Sequence, residues 1–436
     1  MVSRHYKPAV ILFLFWVISL TLQAQESPPA ELRSNIDNQQ RQEQEHLPIL
    51  TEEQLITRAL QRSRKLRSLQ TNIDIAEYRY QSSGRLANPE LRFRDISLSH
   101  HEKKYQEQQI GLRFSIPQPG ELQKERQESA VLLWDKKVDK ERYHQTLIAR
   151  VRRDVANVIM YDQLLDLTSK RVALEDRRIG IIENMVGIGE RSVVYFTKAK
   201  MRHAESKNDY ARAKQKRIQA RYKLSKDTGV DMNVRIMASA VPEISAELTD
   251  LITIALENRP EVELVKRRIE LANYQKKFER YKVLPGLDFL EVNYHAEREG
   301  RADWVELMMG IDLPLLDWNR GNRQATELAV KKKELEYDAL YETISDEVST
   351  AYATYRDLFL DWNNFQRDAE KLISEATNVV EQARMYNTLL PDEVLEMELT
   401  IIDTQTLLAK KRCNLMHAYI ELQYALGTSA FVLPVN

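Results

Sequence analysis

From Ile344 the apolar positions alternate spacings of four and three: Ile344, Val348, Ala351, Tyr355, Leu358, Trp362, Phe365, Ala369, Leu372, Ala376, Val379, Ala383 and Tyr386. That spacing holds one helix face apolar and predicts a coiled-coil seam about six heptads long. A weaker seam lies 197 residues earlier, in Leu147, Val151, Val158, Tyr161, Leu165, Val172, Ile179, Ile182 and Val186, interrupted by Asp154, Thr168 and Glu175. Two long stretches lack glycine and proline, 59 residues between Gly120 and Gly180, which holds most of the first seam, and 69 between Gly321 and Pro391, which holds the second. At ~1.5 Å per residue the shorter stretch makes a rod of roughly 90 Å. Return helices at 190–228 and 392–426 are shorter, and opening helices at 51–87 and 246–283 have the missing length. An opening helix stacked end to end on a return helix would pair a long helix throughout. The last helix is apolar on two faces, through Leu395, Leu399, Ile402, Ala409, Met416 and Ile420 and through Val394, Ile401, Leu408, Leu415, Tyr419 and Leu422. Such a helix needs neighbours on both sides, as in a ring of helices.

Two segments change period from helical to alternating. Ile110, Leu112, Phe114 and Ile116 alternate with Gln109, Gly111, Arg113 and Ser115, and Val305, Leu307, Met309, Ile311 and Leu313 alternate with Trp304, Glu306, Met308, Gly310 and Asp312. These are strands. Their partners, 91–100 and 287–295, are rich in strand formers but switch parity partway. Strands of ~10 residues can cross a bilayer, but four cannot close a barrel, and lipid does not tolerate open edges. Several chains must therefore share one barrel, two giving eight strands and three giving twelve; the periodicity does not choose.

The two halves are copies of one plan. Leu55-Ile56-Thr57-x-Ala59-Leu60 matches Leu251-Ile252-Thr253-x-Ala255-Leu256, and Ile73, Ala76, Tyr78 and Pro89 match Ile269, Ala272, Tyr274 and Pro285. These are nine identities in 35 ungapped positions at an offset of 196, more than shared helical periodicity explains. Pro117 and Pro314 continue the match, as do Leu224 and Gly229 with Leu422 and Gly427. The domain plan is a first repeat at 51–229 with a strand pair at 90–117, a linker at 230–245, a second repeat at 246–428 with a strand pair at 286–314, and a tail at 429–436.

The N-terminus carries an address. Arg4 and Lys7 precede the apolar run 10–20, and Leu22-Gln23-Ala24 supplies a cleavage site, so 1–24 reads as a secretory signal peptide. The run is shorter than the ~20 residues of a membrane span. Residues 25–50 are polar and aperiodic, as in a flexible extension. With 64 Lys+Arg against 65 Asp+Glu, the chain has no global charge for binding nucleic acid. Twelve glycines and 13 prolines in 436 residues mean few turns and long elements. Mean hydropathy of −0.50 excludes a polytopic helical membrane protein. The single cysteine, Cys413, excludes an intramolecular disulfide, a CxxC redox pair and a zinc site built from cysteines. No HExxH, Walker loop or serine elbow occurs. His100-His101 point to opposite sheet faces, and Gly187-x-Gly189 lacks the third glycine of a dinucleotide fingerprint. No catalytic, cofactor-binding or metal residue is assigned, and the chain is not read as an enzyme.

The ordered duplication resembles the TolC family of outer-membrane efflux proteins over nearly all of the mature chain. It is carried by the Leu-x-x-x-Ala-Leu openings, Asn88-Pro89, Pro117, Pro314-Leu315-Leu316-Asp317-Trp318-Asn319-Arg320-Gly321-Asn322 and Gly189-x-x-Ser192-x-x-Tyr195-Phe196-x-x-Ala199. The 88–91 and 314–322 segments look most like the heavy-metal efflux branch. The resemblance implies a mainly α chain with a small membrane β part. A homotrimer would build a periplasmic α-barrel tunnel and a shared 12-stranded transmembrane β-barrel in outer-membrane lipid. It implies passive conduction, of metal cations in that branch, for an inner-membrane pump of the RND type reached through a periplasmic adaptor. It places Glu393 and Glu396 at the pore constriction, where three copies would form a carboxylate ring; both also suit the dipole at a helix start. It places adaptor docking at the turns, on Gly187, Gly189, Ser192, Leu389, Leu390 and Pro391. The rival reading is a periplasmic coiled-coil adaptor or scaffold without a pore. It leaves the repeated strand pair unexplained.

Overall fold

The computed structural model describes residues 49–100, 103–237, 240–297, 302–315, 317–386 and 389–428; of 96–100, 103–107 and 297 only the backbone is described. The signal peptide, residues 25–48 of the extension and the tail lie outside the described residues. Two units are present. Residues 49–50 and 233–235 belong to a small unit that holds β1 (Ile49–Leu50) and the first residue of β4 (Arg235–Ile236). All else described below belongs to the large unit.

The first repeat runs α1 (Glu52–Arg62), α2 (Arg64–Ser82), β2 (Glu90–His100), β3 (Lys103–Ser115), α3 (Glu121–Gly187) and α4 (Val193–Thr228). The second runs α5 (Leu248–Asn258), α6 (Pro260–Tyr281), β5 (Gly286–Glu297), β6 (Trp304–Asp312), α7 (Arg320–Tyr386) and α8 (Pro391–Ala425). Both long helices have 67 residues, roughly 100 Å at ~1.5 Å each. The first continues through Gly180, where a Cβ would meet nothing.

Each opening helix, expected to be continuous, is broken once, at Ser63 and at Arg259, again 196 residues apart. Ser63 takes extended backbone and its hydroxyl accepts from Leu66 N at 3.2 Å, capping a new helix. Arg259 precedes Pro260, whose ring disfavours helical backbone before it. The repeats reach one break by different chemistry. Both end alike, with Gly229 and Gly427 left-handed at φ 72° and 67°, which glycine adopts without Cβ strain.

End-to-end stacking is observed. The helix α3 packs on α1, α2 and α4 of its own half and on α6 and α8 of the other, whereas α7 packs on α5, α6 and α8. The core of the second repeat joins Leu251, Ala255 and Val262 to Ile344, Val348 and Tyr355 and to Leu415, Leu422 and Leu426. Enclosure by both halves explains why the polar interruptions Asp154 and Glu175 of the first seam are buried.

The α7 seam departs from expectation. Ile344, Val348, Tyr355, Ala369 and Ala383 are buried as the pattern requires, but Leu372, Val379 and Tyr386 are exposed and Val380 is buried instead. An α-helix drifts ~20° per heptad against a strict 3.5-residue repeat, so over several heptads the packed face moves off the original stripe. The displaced residues form an uncovered apolar flank.

Candidate functional site

The strands form one antiparallel sheet in the order β2-β3-β5-β6, so the hairpins of the two repeats join through β3 and β5. The bulge between Leu287 and Phe289 accounts for the parity switch of β5. Register places Leu91, Leu112, Val292 and Leu307 in one row and Phe93, Ile110, Tyr294 and Val305 in the next, all exposed, Val305 at 67% and Leu307 at 62%. The other face carries Arg92, Gly111, Asn293 and Glu306 in one row and Arg94, Gln109, His295 and Trp304 in the next. A sheet is thus apolar on its solvent-exposed side and polar on the opposite one.

The polar face is tightly built. Gly111 faces Asn293, whose Oδ1 would lie 1.9 Å from a Cβ there, so only glycine fits. Asn293 donates to Glu306 at 3.4 Å, the His295 Nε2 lies 3.2 Å from the same carboxylate, and the His295 ring stacks on Trp304 at 3.8 Å. Arg92 reaches Glu291 at 3.5 Å. Phe289 lies across Gly310. The outer strands β2 and β6 each have one paired edge within the chain.

At the far end of the hairpins, the two turns expose the predicted docking residues Gly187, Gly189, Ser192, Leu389, Leu390 and Pro391. Gly189 is left-handed at φ 81°. Sequence reasoning missed Ile188, Val193 and Val194, exposed at 65% or more in the first turn, and Met385 and Tyr386 beside the second. Periodicity could not flag their exposure: Tyr386 reads as the last position of the α7 seam, and the others sit at or beside helix ends, where a repeat does not say which face is covered.

Glu393 and Glu396 both have exposed side chains near the start of α8. Glu393 accepts from Leu390 N at 3.0 Å and so closes the helix start. Glu396 lies 3.4 Å from Arg178 and 3.8 Å from Arg202. Between them is a network the sequence did not signal. Asp392 accepts from Arg178 Nε at 2.7 Å and from the Tyr195 hydroxyl at 2.8 Å, with Arg178 and Asp392 side chains only 3% and 2% exposed. It binds the first residues of α8 to α3 and α4. Burial works against the Arg178 charge, but the bonds to Asp392 and Tyr195 outweigh it and hold its pKa above the ordinary value. One turn earlier on α3, buried Glu175 has an Oε2 with no hydrogen-bond partner, and burial pushes its pKa up despite nearby Arg178, Arg171 and Arg202. It lines a 310 Å³ polar cleft among α3, α4 and α8 with Arg171, Arg202 and Glu396.

Among the described residues no helix is long and apolar enough to cross a membrane. No family model matches the sequence, and no curated protein matches it. Solved structures do. CusC, whose structures concern transmembrane channel formation, is 18% identical with a TM-score of 0.69, the alignment covering 86% of this chain and 92% of that one. The CmeC outer membrane channel of Campylobacter jejuni is 13% identical, with TM-score 0.69 and coverage of 86% and 85%. The outer membrane protein VceC of Vibrio cholerae is 14% identical, with TM-score 0.69 and coverage of 86% and 96%. The chain has the fold of these outer-membrane channels, and the resemblance noted in its sequence holds at the level of the fold.

Proposed function

We propose that this chain belongs to the TolC family and is the outer-membrane channel of a tripartite efflux system. It would conduct substrate passively outward for a periplasmic adaptor and an inner-membrane pump of the RND type. The observation that carries the reading is the four-stranded sheet, apolar on its exposed face and unclosed within one chain. Such a sheet satisfies its backbone in lipid only when its edges pair with further strands. Three copies contribute the twelve strands of a closed barrel, polar face inward. The exposed α7 residues Leu372 and Val379 and the exposed α4 residues Met201 and Tyr222 then supply apolar surface for helix packing between neighbouring copies in the periplasmic tunnel. No enzymatic step is part of this function.

Glu393 and Glu396 are proposed to line the periplasmic constriction, where three copies would concentrate negative charge and favour cations. The turns carrying Gly187, Gly189, Ser192, Leu389, Leu390 and Pro391, with Ile188, Val193 and Val194, form the adaptor surface. Metal cations as cargo rest on the branch resemblance of 88–91 and 314–322. The deciding experiment extracts the mature protein from outer membranes and measures its detergent-corrected mass, then its conductance in planar bilayers. A conducting trimer is expected. A monomer or dimer recovered without detergent from the periplasm would overturn the reading in favour of a coiled-coil scaffold.

A further inference from the structure

Each half of the chain leaves one long helix with a bare side. The helix α4 packs on α3 and α1, and α7 packs on α5, α6 and α8. Buried residues recur along α4 at every seventh position, Ala199, Ser206, Ala213 and Ala220. Nearly opposite runs a second stripe, Met201, Ala204, Asn208, Ala211, Gln215, Ile218 and Tyr222, whose spacings alternate three and four and whose members are all exposed. That is the spacing of a coiled-coil seam, here about 30 Å long. One residue before a seam position in each case stand the exposed Lys207 and Lys214, on a helix with eleven Lys and Arg against three Asp and Glu. The uncovered flank of α7 carries Leu372, Val379 and Tyr386, also seven apart and exposed. Asp368 and Glu375, each four residues before one of these positions, are exposed on the same flank. Glu375 has an ion pair with Lys371 of its own helix at 3.9 Å, an exposed contact of little worth.

We propose that the seam of α4 docks antiparallel on the bare flank of α7 in a second copy of this chain, with Lys207 set against Glu375 and Lys214 against Asp368. It rests on the channel reading, in which several copies share one assembly, and fixes which faces meet and in what register. The Tyr195 hydroxyl near the start of α4 reaches Asp392 at the start of α8 at 2.8 Å, so the two hairpin turns lie at one height. Counted from the turns, Val194 is level with Tyr386, Met201 with Val379 and Asn208 with Leu372. Every seven-residue step on one helix meets a seven-residue step on the other. In that register Lys207 falls within one helical turn of Glu375, and Lys214 within one turn of Asp368. Charge selects the occupant. Two α4 faces would set lysine against lysine, and two α7 faces carboxylate against carboxylate, so only the unlike contact is complementary. A contact between different faces of one chain passes from copy to copy and is satisfied at every copy only when a ring closes.

The test co-expresses full-length copies carrying Asn208→Cys with copies carrying Leu372→Cys and treats isolated membranes with a short bis-maleimide. Wild type, whose one cysteine, Cys413, is buried, is the blank. A covalent dimer is expected from the mixture and from neither variant alone. A dimer from Asn208→Cys alone would mean that α4 meets α4, and overturns the docking. Both substitutions in one chain should give a covalent ring. Lys207→Glu with Lys214→Glu, or Asp368→Lys with Glu375→Lys, turns attraction into repulsion at every contact and should weaken assembly roughly tenfold at low salt. The loss should shrink at high salt, which separates charge from misfolding, and all four substitutions together should restore assembly. Wild-type assembly of either reversed pair at low salt overturns the charge pairing. A conducting oligomer without the mixed cross-link defeats this interface and leaves the channel reading intact. The mixed cross-link in a protein that does not conduct supports the interface and defeats the channel.

Discussion

Removing Arg178 should release the start of α8. The Arg178–Asp392 bond is 2.7 Å long between groups at most 3% exposed, and each carries a charge that the interior tolerates only when paired. Arg178→Ala leaves Asp392 buried with only the Tyr195 hydroxyl, whereas Asp392→Ala leaves Arg178 with Tyr195 and the half-exposed Glu396. Breaking a buried pair from one side costs ~3–5 kcal/mol. At about 1.4 kcal/mol per tenfold, local opening of α8 should become roughly 100- to 4,000-fold more frequent. The arginine variant should lie at the upper end, because its orphaned carboxylate has one partner where the orphaned guanidinium has two. The assay is amide hydrogen exchange of residues 394–399 in detergent, where protection reports the local opening equilibrium. Arg178→Met with Asp392→Leu removes both charges and should recover most of the protection, since an apolar pair of similar volume avoids the desolvation cost. If the channel reading is right, the single variants also raise open probability in bilayers. Exchange within threefold of wild type in Arg178→Ala would refute the argument that this pair anchors α8.

Glu393→Gln with Glu396→Gln keeps an acceptor for Leu390 N while removing both charges, so the helix start should survive and cation selectivity should fall; an unchanged reversal potential defeats the constriction assignment. Gly111→Ala sets a Cβ 1.9 Å from the Asn293 Oδ1 and should abolish outer-membrane assembly, with partial rescue by Asn293→Gly; normal assembly of the single variant would contradict the register. The pH dependence of Glu175 has a definite sign. Its folded pKa is raised, mainly by burial, so the stability linked to its protonated form is complete below the ordinary carboxylate pKa and is lost as pH rises through the raised value. Glu175→Gln should therefore lower local opening of α3 and α4 at neutral pH and change little in acid, read by hydrogen exchange at both; an equal effect at both would remove ionisation as the cause. Arg259→Ala should leave the break between α5 and α6 in place, because Pro260 imposes it, and circular dichroism should show no gain of helix.

The seams, the 196-residue offset and the alternating strands were legible because each repeats a local choice about which face is buried. From them followed the two hairpins, the end-to-end stacking and the need for neighbours on both sides of the last helix. The breaks at Ser63 and Arg259 were written in a cap residue and a proline but read as helix, since a single interruption hardly alters the surrounding period. Periodicity says that a face is covered and not what covers it. The joining of β3 to β5, the drift that uncovers Leu372 and Val379, and the meeting of Arg178 with Asp392 across 214 positions were decided only in three dimensions. Local propensity and pattern act within a few turns of chain, whereas a buried charge depends on partners brought together by packing. The sequence therefore carried the elements and their duplication, and the tertiary structure supplied the pairings.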